Sequence, residues 1–118
     1  MINAPRLYRI DPVDDQPCTL LQRWRIFSVR LASGVRERHL VGYAPAEAAG
    51  RVSTAIVGLD LSSRRATTRS GRIYLLEGEP EYDDEGQWLW EKWLAVRSVS
   101  YVQDVTRAWT GAHLGAKV

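Results

Sequence analysis

Residues 65–77, RATTRSGRIYLLE, leave this chain the fewest structural choices. Two short runs rich in threonine, isoleucine, tyrosine and leucine flank Ser70-Gly71. A two-residue link containing glycine is a strong hairpin signal, because the tight turns that match strand twist need positive φ. With Ser70-Gly71 as the loop, Arg69 faces Arg72, Thr68 faces Ile73, Thr67 faces Tyr74 and Ala66 faces Leu75. Strand side chains alternate between faces. Ala66, Thr68, Ile73 and Leu75 are therefore predicted to point inward, and Arg65, Thr67, Arg69, Arg72 and Tyr74 outward. Upstream, RVSTAIVGLD is a β-branched run ending at Asp60, and LSSR is a turn. Together these segments predict a three-stranded meander over residues 52–77.

Residues 23–32, RWRIFSVRLA, fit two patterns. As a strand, they place Phe27, Val29 and Leu31 on one face and Trp24, Ile26 and Ser28 on the other. As a helix, they align Leu20, Trp24, Phe27 and Leu31, with Thr19 and Gln22 as a capping box. We read a strand that returns through SGVRERHLVGY as a hairpin. Further on, Asp84 is a suitable N-cap for a helix, with Gln87 three residues later and Asp83 and Glu85 at the positive end of its dipole. On that helix Leu89, Trp90, Trp93, Leu94 and Val96 share an apolar arc, so Trp90 and Trp93 are predicted to be core. Trp88 lies on the polar side between Glu91 and Lys92. It either folds back on its own loop or stands exposed as a binding anchor. SVSYVQDVT alternates as a last strand. The expected fold is α+β: an antiparallel, strongly bent sheet or small open barrel of five to six strands, with one helix packed across it. The 118 residues make one domain. Residues 1–17 are expected to be loosely attached, set off by the polar loop DPVDDQP, and 110–118 to form a flexible tail.

Charge enters through its arrangement, since the net value is only +2. Five arginines and one acid lie between Arg23 and Arg38, and four arginines and no acid between Arg64 and Arg72. Residues 77–91 then carry seven acids and no base. Such segregation can steer partners, although a solvated surface produces the same pattern. Arg65, Arg69, Arg72 and Tyr74 would suit phosphates, a stacked base or the acids of a partner protein. The acidic entry Asp83, Asp84 and Glu85, with Trp88, would suit a protein partner. Glu77, Glu79 and Glu81 continue the acidic run, but Gly78 and Pro80 interrupt it and its spacing matches no calcium loop. Cys18 is the single cysteine, so no internal disulfide can form, which fits a reducing cytoplasm. Cys18 and His39 are the candidate nucleophile and base, but they fall in different elements and no glycine-rich elbow surrounds Cys18. His39 shares a strand face with Glu37 and Val41, and His113 sits in the tail. These scattered residues do not make a zinc site, and no phosphate loop or dinucleotide fingerprint is present. No cofactor and no metal are expected. The chain has no apolar run long enough for a membrane span, and MINAPRLYRIDP has no apolar signal core. A cytoplasmic location without membrane attachment is the expectation.

The run over residues 50–80, centred on T-R-S-G-R-I-Y-L-L-E-G-E-P, resembles small proteins of Gram-negative bacteria, many of which travel on phages, plasmids and integrative elements. The later W-x-x-W, and D-V-T from Asp104 to Thr106, belong to the same pattern. The resemblance implies an accessory gene and brings no catalytic residue with it. Two functions follow as expectations. The first is a non-enzymatic protein-binding module, a mobile-element inhibitor or modulator of a host defence complex. The second is a nucleic-acid-binding β domain using the arginine hairpin. A homodimer joining the basic and acidic faces stays open.

Overall fold

The computed structural model describes residues 17–111. Residues 1–16 of the segment expected to be loosely attached, residues 112–118 of the expected tail, and with them His113, lie outside that range. The architecture is α+β, but the sheet is mixed rather than antiparallel and holds seven strands rather than five or six. It is not a closed barrel. The elements are β1 (Cys18–Leu31), β2 (Arg36–Ala44), β3 (Ala49–Val52), β4 (Ile56–Asp60), β5 (Arg65–Thr68), β6 (Ile73–Glu77), α1 (Asp84–Val96), β7 (Val99–Asp104) and α2 (Thr106–Thr110). Along the sheet the order is β3-β2-β1-β6-β5-β4, and β7 also pairs with β1.

β1 is the spine of the molecule. The strand reading of residues 23–32 holds, and β2 returns antiparallel beside it from Arg30↔Arg36 to Gln22↔Tyr43. On the other edge β1 serves two partners in line. Its first residues pair in parallel with β6, from Cys18↔Ile73 to Gln22↔Glu77, and its last pair antiparallel with β7, from Phe27↔Asp104 to Leu31↔Val99. Between them the register slips at Arg23, whose φ is 44°. One extra residue in a strand exchanges its faces. Odd-numbered Leu21 before the bulge and even-numbered Trp24 and Ile26 after it therefore share one core, with Leu40, Ala66, Tyr74 and Leu76. Phe27 and Val29 turn to the opposite face, where Val41 and Trp90 of α1 meet them. The sheet thus has apolar layers on both sides. Each large apolar side chain removed from water there contributes about 1.5–3 kcal/mol.

The run 51–60 is not one strand. Ser53 N donates to Leu40 O at 2.9 Å, and Leu40 N donates to Ser53 Oγ at 2.9 Å. The chain then leaves the β2 edge, and Ala55 O accepts from Arg69 N at 2.7 Å, at the tip of the β5–β6 hairpin. The segment 53–55 thus bends the sheet toward itself. The meander survives as β4-β5-β6.

The hairpin register differs from expectation by one residue. Ala66 pairs with Tyr74 and Thr67 with Ile73. Thr68 N donates to Arg72 O at 3.0 Å and Gly71 N to Thr68 O at 2.8 Å, with Gly71 at φ 92°. The loop is therefore three residues, 69–71, with glycine in the left-handed position that a three-residue hairpin requires. A one-residue slip turns over every side chain of the second strand. Arg72 and Tyr74 are buried, and Ile73 and Leu75 are only half-buried, while Arg65, Thr67 and Arg69 do face out.

Two further corrections concern α1. Its N-cap is Asp83, not Asp84: Gly86 N donates to Asp83 Oδ2 at 2.8 Å, and Gln87 N donates to Asp83 O at 2.8 Å. Val96, expected on the apolar arc, is 81% exposed, because the sheet does not cover the last turn, where Ala95 and Arg97 are also exposed. Trp90 is buried as expected. Trp93 is half-buried, with its ring stacked on that of Trp90 at 4.9 Å and tilted against that of His39 at 4.6 Å. Among the described residues no helix is long and apolar enough to cross a membrane.

Candidate functional site

The start of α1 lies against the edge of the sheet because glycines meet there. A β-carbon on Gly86 would fall 2.7 Å from Gly42 O, and one on Gly50 would collide with the Glu85 carbonyl. This close approach of helix to strand leaves an open cleft of about 450 Å³, lined by Ala49, Gly50, Asp84, Glu85, Trp88 and Leu89. Trp88 stands at its lip and is 46% exposed. The Lys92 ammonium lies 5.3 Å from the indole centroid, a cation–π distance. Asp84 and Glu85 are exposed and have no ion-pair partner among the described residues. The floor is apolar and the rim is anionic.

Of the four residues expected at this surface, Trp88, Asp84 and Glu85 are brought together. Asp83 is not. It is buried, caps the helix, and accepts from Arg23 Nε at 2.7 Å. Its carboxylate is engaged in holding α1 to the β1 bulge.

The arginine hairpin does not form the expected stripe. Arg72 is buried and its Nη1 donates to Thr19 Oγ1 at 3.1 Å. The Tyr74 hydroxyl accepts from Arg51 Nε at 3.1 Å inside the core, and Arg51 also pairs with Glu47. Burial pushes the Tyr74 phenol above its ordinary value, and the adjacent Arg51 cation only partly opposes that shift. Arg69 is exposed but donates to Glu37 Oε2 at 2.8 Å. Arg65 alone of the four faces solvent with no carboxylate partner among the described residues.

Glu37 is the centre of a second polar cluster. It is buried, and His39 Nε2 lies 3.0 Å from its Oε1. Arg97 reaches the same oxygen at 3.8 Å. His39 Nδ1 lies 2.7 Å from Ser53 O, so both ring nitrogens point at acceptors, and the ring fills both bonds only when both carry hydrogen. His39 is thus a paired structural histidine. Cys18, exposed at the head of β1, is nine register positions from the Phe27↔His39 pair, roughly 30 Å at strand rise. The candidate nucleophile and base are not brought together.

One constellation escaped the sequence reading. Arg30, Arg36, Arg38, Tyr101 and Trp109 converge on the sheet face opposite α1. They come from β1, β2, β7 and α2, and only the cross-strand register reveals that they are neighbours. Comparison with protein-family models, with curated proteins and with solved structures returned no match.

Proposed function

We propose that this chain is a protein-binding module whose cleft beside Trp88 takes an apolar side chain of a partner, flanked by lysine or arginine. The observation that carries this reading is the half-exposed indole at the lip of an apolar cleft, next to two carboxylates with no ion-pair partner among the described residues. A cleft of about 450 Å³ suits one large side chain and its neighbours. Tryptophan supplies a large contact area and an N–H donor, and is enriched where binding energy concentrates. Asp84 and Glu85 would favour a basic partner and speed its approach. The resemblance to mobile-element proteins makes a host complex the natural source of that partner, with this chain as its inhibitor or modulator. The arginine hairpin offers no comparable nucleic-acid surface, because Arg72 and Tyr74 are buried.

The reading is tested by selecting peptides from a random display library on the wild-type protein and counter-selecting on Trp88→Ala. Enriched peptides are expected to carry leucine or an aromatic residue beside lysine or arginine, and to bind Trp88→Ala about tenfold or more weakly. The variant should unfold in urea within about 0.5 kcal/mol of wild type. Peptides that bind both proteins equally, or a Trp88→Ala protein as unstable as Trp90→Ala, would refute the proposal. Sedimentation of the wild type shows whether a second copy occupies the cleft instead.

A further inference from the structure

The sheet face opposite α1, beyond the point where α2 covers Ile26, carries two cross-strand rows. Tyr101, Arg30 and Arg36 are register partners across β7, β1 and β2, and Gln103, Ser28 and Arg38 form the next row. Neighbours in a row are about 5 Å apart, and the rows are about 7 Å apart. Trp109 of α2 lies over the second row, its ring centroid 4.2 Å from the Arg38 guanidinium. Tyr101 is 52% and Trp109 36% exposed.

Among the described residues, the two rows on this face contain no carboxylate. Elsewhere, Arg23, Arg25, Arg51, Arg64, Arg69 and Arg97 each reach an aspartate or glutamate. Arg30, Arg36 and Arg38 reach none among the described residues, although Arg30 stands directly opposite Arg36. The Arg38 Nε is buried and has no hydrogen-bond partner among the described residues. Packing does not require three guanidinium groups side by side, and the sheet would be more stable with an acid at one of these positions. An anion with several charges would satisfy all three. The two exposed rings narrow its identity, since flat aromatic faces beside arginines are what unpaired bases stack on. A duplex keeps its bases stacked internally and offers those rings nothing.

We propose that this face binds single-stranded nucleic acid, with Arg30, Arg36 and Arg38 on successive phosphates and Tyr101 and Trp109 as stacking platforms. The site is separate from the Trp88 cleft and stands whether or not that cleft takes a protein. Three phosphate contacts give a slope of about −2 for log affinity against log salt, a loss of roughly 20-fold between 50 and 200 mM.

The test is fluorescence anisotropy of fluorescein-labelled oligo(dT) and oligo(U) of about 12 nucleotides, a length within the usual site size. Arg36→Gln should flatten the salt slope by about 0.7. Tyr101→Ala and Trp109→Ala should each weaken binding about tenfold, and Trp88→Ala should leave it unchanged. Tyr101 is exposed and makes no hydrogen bond through its side chain among those described, so Tyr101→Ala should keep the wild-type thermal transition. Absence of any anisotropy change at about 20 mM salt, where phosphate contacts are strongest, would overturn the proposal. So would equal affinity for a duplex with no effect of Tyr101→Ala, or equal competition by poly-glutamate, which would mark the face as a site for an acidic protein.

Discussion

Tyr74 separates a surface ribbon from a wall of the core. Its ring is buried with Leu76 and Ala66, and its hydroxyl accepts from Arg51 Nε at 3.1 Å. Tyr74→Phe keeps the ring but leaves one buried guanidinium N–H without its acceptor, so urea unfolding should show a loss of about 1–2 kcal/mol. Arg65→Ala, on the outward face of the neighbouring strand, should stay within about 0.5 kcal/mol of wild type. Comparable losses for the two variants would show that Tyr74 is not walled in. The hairpin itself was legible, because the alternation of residues 65–77 admits little else. Its inner face was not. Ser70-Gly71 satisfies a two-residue turn as well as a three-residue loop with Gly71 at φ 92°, and the two differ by one step of register. For the same reason, of the candidate binding residues Arg65, Arg69, Arg72 and Tyr74 only the first two reach solvent, and Arg69 is held there by Glu37.

At the scale of elements, the helix and most of the strands were legible, while their exact ends and their long-range pairings were not. The start of α1 shows how fine the difference can be. Asp83 and Asp84 are chemically equivalent caps, and Gln87 at the right distance from Asp84 favoured the later one. The structure uses Asp83, because that carboxylate also receives Arg23 at the β1 bulge, a contact 60 residues away in sequence. Gln87 instead accepts from Arg25. Asp83→Ala therefore removes a cap and an ion pair together and should cost about 1–2 kcal/mol, while Asp84→Ala should change stability by less than about 0.5 kcal/mol. Urea midpoints in the reverse order would return the cap to Asp84. The parallel pairing of β1 with β6 left no local trace. The first third of β1 is short, its apolar alternation suits either pairing direction, and the Arg23 bulge breaks the periodicity that would have tied it to the rest. The division of residues 51–60 into β3 and β4 was hidden likewise, since Ser53 and Thr54 are acceptable strand residues until Leu40 claims Ser53. Edge strand β4 carries its own bulge between Ile56 and Gly58, which twists an exposed, apolar edge away from pairing with another chain.

On the scale of the whole molecule, Glu37 links three parts of the chain. Its carboxylate receives Arg69 from the hairpin tip at 2.8 Å, His39 from its own strand at 3.0 Å, and Arg97 from beyond the end of α1 at 3.8 Å. Burial alone would raise its pKa, but the hydrogen bonds from Arg69 and His39 outweigh burial and hold it below its ordinary value of 4.5. A carboxyl with a depressed folded-state pKa binds protons more readily when the chain is unfolded. Its contribution is therefore complete above about pH 4.5 and is lost as pH falls through the lower folded value. Glu37→Gln keeps the size of the side chain and removes its charge. At pH 7 it should unfold more easily by about 1–3 kcal/mol, since three cationic or donor groups lose their anion. Below pH 4.5 wild type should lose stability more steeply than the variant, so that the two curves converge. The other depressed carboxyl among the described residues, Asp60 in the Ser62–Ser63 turn, is present in both proteins and cancels in the difference. Urea midpoints measured from pH 7 into the acid range decide the matter. Parallel curves would mean that the hairpin tip and the end of α1 are held to the sheet by packing alone, and that the charges gathered around Glu37 are incidental to the bend of the sheet.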